Sequence, residues 1–286
     1  MHYKEIMVPD HFSKQIEIYW EMETASDESS RFEDLLLPDC TFNIIFINQP
    51  LYTKGQVSKD WKLLKAGVYF MGQRNTPILL KSKQKLRIFG IRFKPFAFAR
   101  IFKVPIHQFT DQVFSLRRLF DFSPFQERWL KDILSKIDVE ERIEAANALM
   151  LSLFEDSLEV DQTLRAQLNY IMDRKGLIKV QDLLSEFGVS KVTLHKHFVN
   201  KIGLSPKKIS RIWRMNYFLQ LKDYIQEENL TSLCLRCGFY DQAHFIKEFK
   251  SMLGTPPRQF FEQKSDLIEF SRYGIGRRFS NQYDPR

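Results

Sequence analysis

Two segments near the C-terminus of this chain, residues 180–198 and 233–249, each have the pattern of two short helices joined by a glycine turn. In each segment a glycine separates the helices and a Ser or Asp can cap the second one, namely Gly188 with Ser190 and Gly238 with Asp241. The second helix of such a unit typically lies in a DNA major groove. Two units at this spacing form a more specific pattern than one, and they favour sequence-specific DNA binding over catalysis.

The length and the charge distribution of the chain favour two domains of different character. It has 286 residues, of which 44% are hydrophobic and 26 are Phe, which is enough for two cores. Residues 160–286 contain 21 Lys and Arg against 13 Asp and Glu, whereas residues 1–159 contain 22 of each kind. The net charge of +8 therefore lies in the C-terminal part. Such an excess is typical of a domain that binds a polyanion, because Lys and Arg replace the counterions of DNA phosphates.

The side chains that could support catalysis or metal binding show no suitable arrangement. Cys40, Cys234 and Cys237 are too few for a disulfide framework, which indicates a reducing compartment. Cys234 and Cys237 lie one helical turn apart with no second pair to complete a zinc site, so we expect them to pack inward. The histidines lack metal-ligand spacing and the glycines form no phosphate-binding loop. We therefore predict no metal, no cofactor and no enzymatic activity.

The sequence also lacks the signals of secretion or membrane insertion. The N-terminus has neither the basic region nor the apolar region of a signal peptide. No apolar run approaches the roughly 20 residues that are needed to span a bilayer. We therefore expect a cytoplasmic protein with no membrane partner.

The first half of the chain is predicted to be β-rich and to end in helices. Residues 1–120 contain short runs of β-branched and aromatic residues bounded by turn formers, and they predict an antiparallel sandwich or barrel. The clearest runs are 41–48, 66–71 and 86–93. Over residues 121–160 the apolar residues recur at helical spacing, which predicts a helical connector with an acidic linker at its end.

The second half is predicted to be an all-α domain over residues 161–265, which makes the whole chain an α+β protein of several domains. Ser205 followed by Pro206 is a strong start signal for a long helix. Because this helix separates the two helix-turn-helix units, their spacing should be rigid. A basic tail, residues 266–286, follows the domain.

In the second helix of the first unit, helical spacing turns a small set of residues outward. Leu194 and Phe198 are four residues apart on one face and belong to the core. The opposite face carries Val192, His195 and Lys196. Lys can donate to guanine, His can donate or accept, and Val can contact a thymine methyl group. We predict that these three residues contact base edges.

The corresponding helix of the second unit repeats this geometry. Phe245 and Phe249 point inward, and the outward residues predicted to contact bases are Gln242, Ala243, Ile246 and Lys247. Gln can bond to both edge groups of adenine, and Ala or Ile can pack on thymine methyl groups. Other cations are predicted to meet the DNA backbone, which positions a domain without reading sequence; they are Lys191, Lys201, Lys250 and Arg258.

These segments resemble the DNA-binding domain of AraC-type (AraC/XylS) transcriptional regulators. The matching residues are Gly-Val-Ser-x-x-x-Leu-x-x-x-Phe at 188–198, Gly203, Ser205-Pro206, Arg214, the run Cys-Gly-Phe-Tyr-Asp-Gln-Ala-His-Phe-Ile-Lys-Glu-Phe-Lys at 237–250, and Gly254-Thr255-Pro256. The resemblance covers about a hundred residues and implies a seven-helix domain whose two reading helices enter successive major grooves. Its base-reading positions fall on the seven residues that helix geometry turns outward. Double-stranded DNA is therefore the predicted partner, and RNA polymerase is a candidate partner.

The sequence departs from the family pattern at three places. Phe218 stands in the long helix where the family usually has a small Ala, and Cys234 replaces another usual Ala. Phe261 stands where an Arg commonly ends the domain. The simplest interpretation is that the long helix is packed differently and that binding is retained.

The N-terminal half is similar to the sensor half of a subgroup of these regulators. The matching residues are Leu37-Pro38-Asp39, Met71-Gly72-Gln73-Arg74 and Gly90-Ile91-Arg92-Phe93-Lys94-Pro95. In such halves some relatives bind small effectors and others dimerise, so both a small-molecule effector and a homodimer are candidate partners. Arg74 and Arg92 are candidate anion ligands in a pocket, although arginines at such positions more often brace turns by bonding carbonyl groups.

Two alternative functions compete with DNA-binding regulation. The chain could be a ligand sensor whose basic domain contacts a protein partner. Binding to that partner that does not change with salt concentration would favour this interpretation. It could also be a nucleic-acid repair enzyme that uses the helical domain for targeting. That function requires a reactive cysteine in a basic and partly exposed setting, and Cys40 is the candidate for it.

Overall fold

The computed structural model describes residues 2–24, 32–55, 60–98, 104–155, 161–224 and 229–262. The predicted basic tail and most of the predicted acidic linker lie outside these ranges. In the described part of the chain, no helix combines the length and the hydropathy needed to cross a bilayer.

The N-terminal half forms two antiparallel sheets. Its strands are β1 (His2–Ile6), β2 (Ile16–Glu23), β3 (Phe32–Leu36), β4 (Phe42–Ile47), β5 (Leu51–Gly55), β6 (Lys62–Leu64), β7 (Gly67–Met71), β8 (Ile78–Ser82), β9 (Arg87–Phe93) and β10 (Val113–Ser115). Six strands form the larger sheet in the order β1-β2-β9-β4-β7-β10, and four form the smaller sheet in the order β3-β8-β5-β6. The prediction of a β-rich domain made of antiparallel strands is confirmed.

Strand β4 shows why the larger sheet has two buried faces. All six of its residues are buried. Because successive side chains alternate between faces, Ile45 and Ile47 pack into the core between the two sheets, where residues of both sheets meet. Ile44 and Phe46 point to the other face, into a second core that includes helical residues such as Leu149. The larger sheet is therefore covered on one face by the smaller sheet and on the other by helices.

Those helices are the predicted connector, and they belong to the N-terminal core. They are α1 (Pro124–Ser135) and α2 (Val139–Glu155). Tyr19 of β2 donates a hydrogen bond to Asn147 Oδ1 at 2.8 Å, and buried Arg142 forms an ion pair with Glu21. The helical periodicity of this segment is confirmed. Because it packs on the sheet, the segment is part of a folded layer and does not act as a free spacer.

The C-terminal domain has seven helices over its described residues. They are α3 (Gln162–Asp173), α4 (Val180–Phe187), α5 (Lys191–Ile202), α6 (Pro206–Tyr224), α7 (Leu230–Arg236), α8 (Gln242–Leu253) and α9 (Pro257–Glu262). The predicted caps are present at α5 and α8. Ser190 accepts a hydrogen bond from Thr193 N at 3.1 Å, and Asp241 accepts one from His244 N at 2.7 Å. Gly188 ends α4 with a φ of 60°, a left-handed conformation that favours glycine.

The aromatic residues of α6 and α8 form the centre of this domain. Phe218, Phe245 and Phe249 have no exposed surface, and the Phe218 ring centroid lies 4.4 Å from that of Phe245. Cys234 and Cys237 are also fully buried in this core. Burial raises the pKa of the Cys234 thiol to about 12, so the thiolate that redox or metal chemistry requires is disfavoured. The inward packing expected for this pair is observed.

Candidate nucleic-acid interface

Helices α4 and α5 form the first helix-turn-helix unit, and α5 presents the predicted reading face to solvent. Leu194 is 1% exposed and Phe198 is fully buried, so this side of α5 is anchored in the core. On the opposite side Val192 is 76% exposed, and His195 and Lys196 are exposed as well. Exposure of a Val to this extent leaves a methyl-bearing side chain available to a partner.

Helices α7 and α8 form the second unit, and α8 presents the corresponding face. Gln242, Ala243, Ile246 and Lys247 are all exposed, with Ile246 at 37%. The predicted base-contacting residues therefore form two outward faces, one on each unit. Thr231 of α7 donates a hydrogen bond to Gln242 Oε1 at 3.2 Å, and this contact orients the amide at the start of α8.

An ion cluster joins α6 to α8 and was not predicted from the sequence. Glu248 of α8 accepts hydrogen bonds from Arg211 Nε at 2.9 Å and from Arg214 Nη2 at 2.9 Å. His244, one turn before Glu248, lies 3.4 Å from the same carboxylate. Burial alone would raise the pKa of Glu248, but the two guanidinium groups hold it below its usual range. Glu248 is therefore an anion at neutral pH and ties the second reading helix to the long helix.

Sequence periodicity offered a signal for this cluster. Arg211 and Arg214 are three residues apart and so share one face of α6, and Glu248 is the acidic residue on α8. The sequence does not show how the two helices cross, because no local pattern specifies which face of α6 packs against α8.

A cleft with a volume of about 1160 Å³ lies between the two units. Its lining includes Val192, His195 and Lys196 of α5 and His244 of α8, so residues near both reading faces border the same space. The start of α6 also lines it, through Ser205, Pro206 and Lys207 among others. The cleft is therefore a concave feature that both units share.

The four predicted backbone contacts differ in their surroundings. Lys191 lines the cleft, and Lys250 is exposed on α8. Lys201 is half-buried near the end of α5. Arg258 is exposed and forms a 3.1 Å ion pair with Glu262. All four stay predictions, as do the seven base contacts.

The two candidate anion ligands of the N-terminal domain have partners within the protein. Arg74 is 2% exposed, and its Nη2 donates to Leu37 O at 3.1 Å and to Asp39 Oδ1 at 2.9 Å. Arg92 pairs with Glu5 at 3.2 Å and also donates to the Tyr3 hydroxyl. Both arginines therefore brace their own domain. A role as anion ligands stays a prediction for both.

The described residues give little support to a metal site or to a reactive cysteine. No group of three or more His, Cys, Asp or Glu side chains in them could hold a metal ion. Cys40 is 1% exposed, and its burial does not match the exposure that a reactive thiol requires.

Two family models match separate parts of the chain. Residues 4–115 match a domain of unknown function (DUF6597), and residues 183–263 match a model described as a helix-turn-helix domain. The second match includes both reading helices and the ion cluster. The class of the C-terminal domain is therefore a DNA-binding helix-turn-helix domain.

Two relatives of the C-terminal part are themselves helix-turn-helix proteins. The HTH-type transcriptional activator RhaS of Klebsiella pneumoniae is 25% identical over 122 residues, which cover 41% of this chain and 42% of RhaS. RhaS of Escherichia coli O1:K1 is 27% identical over 84 residues, which cover 29% of this chain and 30% of that protein. The chain thus matches less than half the length of these relatives. Together with the double motif, the matches show that the C-terminal domain is a helix-turn-helix domain of the AraC type.

The chain is also similar to two solved structures. One is ToxT from Vibrio cholerae, which is 11% identical with a TM-score of 0.47 and covers 85% of this chain and 97% of ToxT. The AraC-like transcriptional activator CuxR is 13% identical with a TM-score of 0.26 and covers 73% of this chain and 74% of CuxR.

Proposed function

We propose that this protein is a transcription regulator that binds a specific DNA site through α5 and α8, with its occupancy or activity set by the N-terminal domain. The observation that carries the proposal is the pair of exposed faces on two capped helices of one domain. Each face combines side chains that bond base edges with side chains that pack on thymine methyl groups. Three of the seven positions are apolar, namely Val192, Ala243 and Ile246, so methyl contacts should contribute as much as hydrogen bonds.

The contacts of α8 with the long helix support simultaneous reading of two grooves. The long helix α6 lies between the units, and the Glu248 cluster fixes α8 to it. Successive major grooves on one side of DNA are about 34 Å apart. A fixed spacing between the helices lowers the ordering cost of binding and selects one separation between the two sub-sites.

Contacts between the domains support control of DNA binding by the N-terminal half. Thr110 donates a hydrogen bond at 2.8 Å to the carbonyl of Gly203, the residue that ends α5. Asn216 of α6 donates to Pro38 O at 3.3 Å, and Leu37 and Cys40 are buried within the same core as α6. The first reading helix and the long helix therefore both touch the N-terminal domain. A small effector or a second copy of the chain that alters this domain would act on the reading helices through these contacts.

Selection from random DNA duplexes tests the proposal. Purified full-length protein is incubated with the duplexes at moderate salt, and the bound fraction is sequenced. We expect enrichment of a site with two conserved segments about one DNA turn apart. Failure to enrich any sequence would contradict specific recognition and would favour the alternative in which the basic domain contacts a protein.

A further inference from the structure

The cleft between the two units is strongly cationic. Its lining residues include six Lys and Arg, which are Lys179, Lys191, Lys196, Lys207, Arg211 and Arg214, and a single acidic residue, Glu248. A groove that accepts an apolar segment of a protein would not concentrate positive charge in this way. A concave surface of one charge sign concentrates ligands of the opposite charge.

Lys191 and Lys196 are already among the predicted DNA contacts, and the other four cations form two pairs that differ in their surroundings. Arg211 and Arg214 are held by Glu248, and Arg214 also lies over the Phe239 ring at 4.4 Å and donates to Gly238 O at 3.3 Å. These two arginines are therefore committed to the protein. Lys179 and Lys207 are exposed, and among the described residues neither has an acidic side chain within ion-pair distance.

The position of the cleft identifies the kind of anion. The predicted base contacts of α5 line one wall, and the second reading helix contributes His244 to the lining. DNA that offers successive major grooves to the two helices must pass the sugar-phosphate backbone between those grooves across the space between the helices.

We propose that the cleft binds this backbone, with Lys179 and Lys207 each contacting a phosphate. The assignment rests on the proposed function and adds two contact residues to it. Lys179 lies directly before α4 and Lys207 lies in the first turn of α6, so the contacts come from two different elements of the domain. Contacts of this kind position the domain along the duplex without reading sequence.

The test is the salt dependence of affinity for the selected duplex. Affinity is measured at several salt concentrations for the wild type, Lys179→Gln, Lys207→Gln and the double variant. The control is Lys131→Gln, which makes the same charge change at an exposed position on α1 in the N-terminal domain. Because each phosphate contact contributes about 0.9 to the slope of log K against log salt, we expect each cleft variant to lose about one unit of slope. The double variant should lose about two, and the control none.

Several results would overturn the assignment without touching the proposed function. Unchanged slopes in the double variant, while the wild type still binds its site selectively, would show that the cleft does not contact phosphates. A change in preference between the selected and a scrambled duplex would make these lysines base readers. Saturable binding of inorganic phosphate without DNA, lost in Lys207→Gln, would reassign the cleft to a free phosphorylated ligand. If the wild type itself selects no sequence, the proposed function fails first.

Discussion

Arg214 Nη2 lies 2.9 Å from each carboxylate oxygen of Glu248, so one guanidinium nitrogen on the long helix holds the second reading helix. Replacing Glu248 by Gln keeps the size of the side chain and removes its charge, leaving Arg211 and Arg214 without an anion. Because Arg211 is partly exposed and screened by water, we expect a loss of about 1–3 kcal/mol in the free energy of unfolding. Urea unfolding measures it. Glu262→Gln is the control, since its exposed pair with Arg258 should contribute less than about 1 kcal/mol.

The same cluster predicts a pH dependence. The folded-state pKa of Glu248 is below its usual range, so the stabilisation is present above the ordinary Glu pKa of about 4.3 and is lost as the pH falls through the folded value. The stability difference between the wild type and Glu248→Gln should therefore be large at neutral pH and shrink as the pH falls below about 4.3. A difference that stays constant over this range would show that the charge of Glu248 is not what stabilises the protein.

The packing of Phe218 explains how the domain accommodates this departure from the family pattern. Its buried ring contacts the rings of Phe239, Phe245 and Phe249, so the larger side chain fills space between α6 and α8. Phe218→Ala should leave a cavity and cost about 3–5 kcal/mol in unfolding free energy. Half-buried Phe261 is the comparison, and Phe261→Ala should cost less. Equal losses would mean that the core around Phe218 collapses to fill the space.

Gly203 and Gly188 form a matched pair for testing the contact between the domains. Both end helices of the first unit with positive φ, 87° and 60°, so Ala at either position should cost on the order of 1 kcal/mol in backbone strain. A Cβ at Gly203 would lie 2.8 Å from Thr110 Oγ1, whereas a Cβ at Gly188 would have nothing within 4 Å. Gly203→Ala should therefore lower the melting temperature more than Gly188→Ala. The reverse order would indicate that the two domains do not pack through Thr110.

The local features of the C-terminal domain could be predicted from the sequence, and the long-range ones could not. The glycine turns, the caps at Ser190 and Asp241 and the outward faces of α5 and α8 follow from residue identity and helical periodicity. The packing of α1 and α2 on the larger sheet depends on contacts such as that between Tyr19 and Asn147, which are 128 positions apart. The Glu248 cluster likewise depends on a helix crossing. No local pattern specifies which distant surfaces meet.

The hypothesis that α5 and α8 read two grooves is tested most directly with the selected duplex and a set of duplexes that each carry one base change. Affinities are measured for the wild type, Lys196→Ala and Gln242→Ala. We expect each variant to lose discrimination at one position, worth about 1–3 kcal/mol, with the two positions about one DNA turn apart. If both variants instead weaken binding to every sequence equally, these side chains do not contact bases and the assignment of the two reading faces is wrong.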